Sequence, residues 1–389
     1  EYFKSFVFKD KAEDKKIDKN DLEKIISLIE GAEKPVIICG AGIKNSNSRN
    51  EVISLSKNLN IPLVSSAGHG DVIPFDCNLY AGQMGPRGNK IASYLVNNAD
   101  LILAIGTRLG FNSTFYSYDN ISKFAKIVQV DVDPIALGRY FPIELGINND
   151  AKKFLENLLS SLSKKKLKYN NSVWVNSFIN ERNNYYKKRD SEADIESEII
   201  QPSGLFKELR DVMPKNSSVT LDAGTLCLQA TDQFNFAESK SLFTPLDFGL
   251  VGFSFAAGLG VKLAKPKSPV FSLMGDGGFG MTVSELSTAV QHNINTITIV
   301  MNNKSWGAEK AYQRDYYKKR YIGADISSPP FHELAELYGA KGYHITQLKE
   351  FKNVITDALE CNLPAVINVE VDPKALYSFR KDSFKHRMK

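Results

Sequence analysis

Two kinds of apolar run alternate along the chain. One recurs at helical spacing, as in "LEKIISLIEGA", "EVISLSKNLN" and "KIASYLVNNA"; the other is short and continuous, as in "KPVIICGAGI", "IPLVSSAG", "DLILAIGTRLG" and "AKIVQVDVDP". The first kind predicts amphipathic helices. The second predicts buried strands of a parallel sheet, since a strand covered by helices on both faces has no polar side. Asp21 stands where it would cap the first helix, Gly31 ends it, and "AKKFLENLLSSLSKKK" predicts the helix that closes this unit.

A second round follows a stretch at 167–201 rich in Lys, Asn, Tyr and Glu, which reads as a partly helical linker. Its elements are a helix over "SGLFKELRDVM" capped by Ser203, a strand at "SSVTLDAGT", a glycine-rich helix "GFSFAAGLGVKLA", a strand at "PVFSLMGDGG", a helix over "TVSELSTAVQHN" and a strand at "NTITIVMNN". Helices over "PFHELAELYGA" and "LKEFKNVITDALEC" and a strand at "AVINVEVD" complete it. The fold expected is α/β, with two doubly wound parallel-sheet, Rossmann-like domains at 21–166 and 202–372, a connector at 1–20 and a tail at 373–389.

Composition narrows the field. The chain has 389 residues, 43% of them hydrophobic, enough for two cores without cross-links. Its 49 basic and 44 acidic residues leave a charge of +5, too mild and too dispersed for a nucleic-acid binder. Clusters such as Lys164-Lys165-Lys166 and Lys187-Lys188-Arg189 lie in polar segments and read as solvated surface. Cys39, Cys77, Cys227 and Cys361 show no metal or redox spacing, and Cys39 lies inside an apolar run, which fits a reduced cytoplasmic protein. No run is long and apolar enough to span a membrane. The chain opens with Glu1 in a Lys-rich segment, the form of a connector that something precedes.

The chemistry is concentrated in "MGDGGFGMTVSELSTAVQHNINTITIVMNNKSW". Asp276 and Gly277 sit at the carboxyl end of one predicted strand and Asn303 at the carboxyl end of the next, and ligands of open α/β sheets bind in the crevice outside those ends. A carboxylate and an amide oxygen are hard donors suited to Mg²⁺ or Ca²⁺, not zinc. Gly277 and Gly278 offer N–H groups at a helix start, where an anion is favoured. An Mg²⁺ ion bridging a diphosphate follows from these residue types together. Either half alone would be an ordinary turn.

The stretch from "GDG" to "NN" resembles the thiamin diphosphate signature of the acetolactate synthase and pyruvate oxidase superfamily, and the resemblance extends over nearly the whole chain. It implies that Asp276, Asn303 and the backbone carbonyl of Ser305 hold Mg²⁺, and that Gly275, Gly277, Gly278, Gly307, Gly224 and Thr225 flank thiamin diphosphate. It further implies that Val251, beside Gly249, props the cofactor in its bent form. "SWGAEKAYQRDYYKKRYIG" and "SFRKDSFKHR" resemble the sulfoacetaldehyde acetyltransferase branch, whereas acetolactate synthases carry Gly-Met-Val followed by Gln-Trp after the metal loop. That branch converts sulfoacetaldehyde and phosphate to acetyl phosphate and sulfite.

Trp306, Ala308, Glu309, Lys310 and Arg314 then become substrate candidates; Lys310 and Arg314, one helical turn apart, would serve an anion, with a solvated helix face as the plain alternative. "CGAGI", "GTRLG" and "VDVDP" resemble nucleotide-holding loops of relatives, but "GAGIKN" lacks the third glycine of the dinucleotide fingerprint, and no FAD is expected. His69 in "AGHGD" could point toward the active-site crevice, with a loop histidine in water as the more common case.

Members of the superfamily begin with a pyrimidine-binding domain whose glutamate activates the cofactor. The chain shows no such domain, so no catalytic residue is assigned, and a homodimer, homotetramer or partner chain carrying that domain is expected. Two other readings stay open: an acetolactate synthase-like 2-oxoacid carboligase, and a non-catalytic cofactor-binding subunit. A nicotinamide dehydrogenase is disfavoured for want of a fingerprint.

Overall fold

The computed structural model describes residues 16–376 except Arg87, Lys166, Lys168 and 225–228. The continuous apolar runs form two six-stranded parallel sheets among these residues. The first holds β1 (Pro35–Cys39), β2 (Leu63–Ser65), β3 (Tyr80–Gln83), β4 (Leu101–Ile105), β5 (Lys126–Asp131) and β6 (Leu145–Asn148), in the order β3-β2-β1-β4-β5-β6. The second holds β7 (Ser218–Leu221), β8 (Leu242–Phe243), β9 (Val270–Gly275), β10 (Ile297–Asn302), β11 (Lys341–Ile345) and β12 (Ala365–Glu370), in the order β11-β12-β10-β9-β7-β8. The first sheet reverses direction between β1 and β4; the second reverses between β7 and β9, and again at its far edge, where β12 returns to lie between β10 and β11. Such a switch point opens a crevice at the carboxyl ends of the strands.

Both sheets bury both faces. Ile37, Leu103 and Val128 of the first sheet point into one core with Ile25, Leu55 and Phe154 from helices, while Val36, Ile38 and Ile102 point into another with Leu95 and Phe178. In the second sheet Phe271, Ile299 and Ile367 meet Phe206 and Phe351, and Met274, Val300 and Val366 meet Phe255, Phe279 and Phe331. Alternate residues of one strand thus feed opposite cores, which is why these strands are apolar throughout.

Several element ends differ from the sequence reading. The first helix spans Lys19–Glu30 and is capped by Asp18, whose side chain accepts from the Asn20 N–H at 2.9 Å; Asp21 lies in its first turn. The helix Pro202–Val212 follows Gln201, which makes no side-chain cap bond, and Ser203 lies inside the helix with its Oγ accepting from Asp194 N–H. Proline is pre-shaped for the first helical position, so it sets the start. The linker contains a 20-residue helix, Ser172–Ser191, that buries Trp174, Val175 and Phe178 against the first unit.

The two units meet along a polar seam. Lys44 Nζ lies 2.8 Å from Asp71 Oδ1, and Asp71 Oδ2 accepts from the N–H groups of Ser241 and Leu242 at 2.9 and 3.2 Å, at the edge of the second sheet. Arg49 donates to the carbonyl of Ala237 at 2.7 Å, and Gln83 Nε2 to that of Thr231 at 2.9 Å. The residues described contain no helix long and apolar enough to cross a membrane.

Candidate functional site

Three consecutive strands of the second sheet deliver the polar residues. Asp222 follows β7, Asp276 follows β9 and Asn303 follows β10, and the pairing Met301↔Gly275 brings the last two to the same level. A helix begins at Asp276 itself and runs to Thr282, with Gly275 as its cap and Gly277 and Gly278 in its first turn. The sequence reading placed that helix start after the glycines; a 3₁₀ turn at Val283–Glu285 separates it from a second helix, Leu286–Gln291.

Asp276 is 1% exposed. Its Oδ2 accepts from the Ser328 hydroxyl at 2.6 Å, while Oδ1 is buried without a hydrogen-bond partner among the described residues. Burial pushes this carboxyl above its ordinary range, and the Ser328 hydroxyl and the N–H groups of Gly277 and Asn303 pull it back. A buried carboxylate oxygen with nothing opposite it is costly unless a cation supplies the missing partner.

The asparagine pair divides its work. Asn302 Nδ2 donates to Asn368 Oδ1 at 3.0 Å, which ties it to β12, and Asn303 faces the crevice loop, its Oδ1 accepting from Ser305 N–H at 3.2 Å. Trp306 N–H donates to the Ala324 carbonyl at 2.7 Å and Ile326 N–H to that of Lys304 at 3.1 Å, leaving the Ser305 carbonyl outside both bonds. Ser305 Oγ is also buried and unpartnered among the described residues. Asp276 Oδ1, the Asn303 amide and the Ser305 carbonyl make a hard oxygen set that suits a small divalent cation and leaves positions for a ligand's own oxygens. No group of three or more His, Cys, Asp or Glu side chains among the described residues could hold a metal, so a cation here would depend on this mixed set.

The glycines allow close approach. A Cβ at Gly278 would lie 2.2 Å from Asp222 Oδ2 and 3.5 Å from Val251 Cγ1, so glycine lets the helix start reach the end of β7 and the turn that carries Val251. A Cβ at Gly277 would lie 2.6 Å from the Trp306 ring, which puts that indole against the helix start. Val251 is half-buried, Gly249 is exposed and Gly252, at φ +86°, enters the next helix, Phe253–Ala264. Asp222 accepts from the N–H groups of Gly252 and Ser254 at 3.0 and 3.2 Å. Burial raises its carboxyl, and those donors oppose the shift.

Asp222, Ser254 and Ser328 were not singled out from the sequence. Asp222 occupies the same place after its strand as Asp276 does after β9, which is the signal that could have found it. Ser328, in "ISSPP", carries no such signal, for it reaches Asp276 only through the fold. Thr225, Cys227 and the whole "SFRKDSFKHR" stretch, 378–387, lie outside the described residues.

The substrate candidates lie at and beyond the helix Gly307–Tyr316. Trp306, Gly307 and Ala308 are half-buried at its start, and Glu309 is exposed. Lys310 Nζ pairs with Asp325 at 2.5 Å, and Arg314 bonds Asp315 at 2.8 Å and the Leu376 carbonyl at 3.0 Å. Both cations are therefore engaged within the protein.

Next to this site a cavity of about 490 Å³ separates the two units, lined by Lys44, His69, Phe243, Leu246, Phe248 and Phe253 among others. His69 is half-buried, not a loop histidine in water: burial, reinforced by Lys44, lowers its pKa to about 4, and its Nδ1 has no partner among the described residues. In the first sheet, the Gly40 and Gly42 N–H groups donate to the carbonyls of Ile105 and Gly106, both at 3.0 Å, so this glycine turn spends those donors on β4.

Comparison with known proteins agrees with this geometry. Residues 22–158 match the central domain of thiamine pyrophosphate enzymes, and residues 222–369 match their C-terminal TPP binding domain. A sulfoacetaldehyde acetyltransferase of Alcaligenes xylosoxydans xylosoxydans is 28% identical over 93% of this chain and 64% of its own length, and one of Castellaniella defragrans is 29% identical over the same shares. A probable acetolactate synthase large subunit of Methanocaldococcus jannaschii is 31% identical over 90% of this chain and 60% of its own length. The chain thus spans less than two thirds of the length of these relatives. With the cation-suited loop of β9 and β10 inside one matched range and the first sheet inside the other, the chain belongs to the thiamine pyrophosphate enzyme family.

Proposed function

We propose that this chain supplies the central and cofactor-binding domains, at 21–166 and 202–372, of a thiamin diphosphate- and Mg²⁺-dependent sulfoacetaldehyde acetyltransferase. The observation that carries the cofactor half is the buried Asp276 Oδ1, unpartnered among the described residues and set one strand from Asn303. Asp276, Asn303 and the Ser305 carbonyl would hold Mg²⁺, and the N–H groups of Gly277 and Gly278 would meet diphosphate oxygens at a helix start. Val251, half-buried beside Gly278, offers an apolar support for the cofactor's organic part; by the sequence resemblance Gly224, Thr225, Gly249, Gly275 and Gly307 would flank the cofactor. When bound, thiamin diphosphate supplies a nucleophilic carbon for the substrate carbonyl. The protein's part is to fix the diphosphate end, so that this carbon meets the substrate in one orientation.

The substrate half rests on the "WGAEK" segment and on the relatives that bear that activity. Trp306 and Ala308 shape the start of the helix nearest the cation loop, while the Lys310–Asp325 pair and the Arg314 contacts favour a structural part for those two cations. An acetolactate synthase-like reaction is the second reading, favoured by relatives of similar identity. We further propose a cytoplasmic enzyme acting as a homodimer, homotetramer or with a partner chain.

The test is sulfite release from sulfoacetaldehyde by the full polypeptide that contains these residues, with phosphate, thiamin diphosphate and Mg²⁺. Release that requires all three additions is expected, together with acetyl phosphate. Pyruvate consumption without sulfite release would leave the cofactor assignment standing and replace the substrate.

A further inference from the structure

Ser328 lies in the segment between the helix Gly307–Tyr316 and the helix Phe331–Leu337. That segment is fixed to the asparagine loop, since Ala324 accepts from Trp306 N–H at 2.7 Å and Ile326 donates to Lys304 at 3.1 Å. It is fixed to the helix as well: Lys310 holds Asp325 at 2.5 Å, and the Gln313 amide both donates to the Ile322 carbonyl at 2.9 Å and accepts from its N–H at 2.8 Å. From this mount the half-buried Ser328 sends its hydroxyl 2.6 Å to Asp276 Oδ2. The carboxylate after β9 is therefore held by a segment paired with the loop after β10, which contributes the other two oxygens. Of the two carboxylate oxygens, Oδ1 is left without a partner among the described residues.

We propose that Ser328 is a positioning residue for the cation: its hydroxyl takes one oxygen of Asp276, fixes the rotation of the carboxylate and presents the other oxygen to a divalent ion. This rests on the reading of Asp276 as a cation ligand. The structural part of the Lys310–Asp325 pair is then that of the brace that keeps Ser328 in place. A ligating carboxylate without its supporting hydrogen bond must find its orientation at the moment of binding, and loss of such a partner weakens metal binding by roughly 10- to 100-fold.

The experiment measures Mn²⁺ bound to the full polypeptide by electron paramagnetic resonance, in the presence of thiamin diphosphate. A parallel Mg²⁺ titration follows tryptophan fluorescence, to which Trp306, whose ring packs on Gly277, contributes. Ser328→Ala is expected to raise the half-saturating metal concentration roughly 10-fold. Ser328→Thr, which keeps the hydroxyl, is expected to restore most of that affinity, and the metal-free melting temperature should match wild type in both. Unchanged metal affinity in Ser328→Ala would overturn the proposal, as would equal weakening in both variants accompanied by a lower metal-free melting temperature. If Ser328→Ala does not fold, Ser328→Cys, similar in size and a poor donor, makes the same comparison. Should wild type bind no Mn²⁺ with thiamin diphosphate, the reading of Asp276 falls, and the proposal with it.

Discussion

At the residue scale, Asp276 and Asn303 could be read from the sequence because each stands at the end of an unmistakable apolar strand. Asn302 and Asn303 look alike in sequence. The bond from Asn302 to Asn368, 66 positions away, is what assigns the crevice to the second of them. Ser328 and Asp222 were hidden for the same reason: their partners lie 52 and about 30 residues off in the chain, beyond any local pattern. His69 had two readings open in the sequence, and the fold takes the less common one, placing it against a cavity wall and not in water. Its proton affinity has a consequence for stability. The folded state keeps His69 neutral down to about pH 4, whereas the unfolded chain takes up the proton near the ordinary imidazole value of 6.5. Protons therefore favour the unfolded state between those values, and full stability holds above pH 6.5 and falls as pH drops toward 4. The charged groups around it are Lys44, Asp71, Asp247 and Arg108, and all four are present in wild type and variant alike. Denaturant titrations of wild type and His69→Gln are expected to converge in slope with pH above 7, with wild type losing about 2–3 kcal/mol more between pH 6.5 and 4.

At the scale of elements, the interior strands were legible and the outermost were not. β3, β6, β8 and β11 are the four edges of the two sheets, and none was anticipated. An edge strand has a neighbour on one side only, so it is short or carries glycine and polar residues, as in "LGIN" and "KGYHI", and loses the continuous apolar signal. Helix starts were misplaced by a few residues where an acidic or hydroxyl residue stood near a better cap or a proline. The helix Phe253–Ala264 is a case in which the cap comes from another element: Asp222, at the end of β7, accepts from Gly252 and Ser254. Removing it should free the helix start and the turn with Val251 together. Asp222→Ala is expected to lower unfolding free energy by about 1–2 kcal/mol, the loss of a helix cap, and to weaken thiamin diphosphate binding in a calorimetric titration. Lost stability with unchanged cofactor affinity would separate the cap from the site.

At the scale of the molecule, the alternation of helix and strand predicted two doubly wound sheets, and both are present. The seam between them was beyond reach of any pattern, because its members are scattered through the chain. Asp71 is its centre, with a side chain fully buried and bonded to Lys44, Ser241 and Leu242. Its replacement by alanine would strand the Lys44 ammonium and two N–H groups, at a cost of about 3–5 kcal/mol. Calorimetry is expected to show a lower melting temperature, with the transition broadened or split as the two sheets unfold less together. The helix Ser172–Ser191 crosses the same divide. Near one end Trp174 bonds the Pro35 carbonyl; farther along, Arg182 bonds the carbonyls of Asn78 and Tyr80; near the other end Tyr185 and Arg189 hold Asp232 of the second unit. Twenty helical residues span about 30 Å, so this segment behaves as a splint fastened on both bones. A joint splinted in that way resists bending like a hinge, and the stretch 244–251 on the cavity's far wall is a second fastening across it, through Asn112 to the Leu246 carbonyl at 2.7 Å and Arg108 to Asp247 at 3.2 Å.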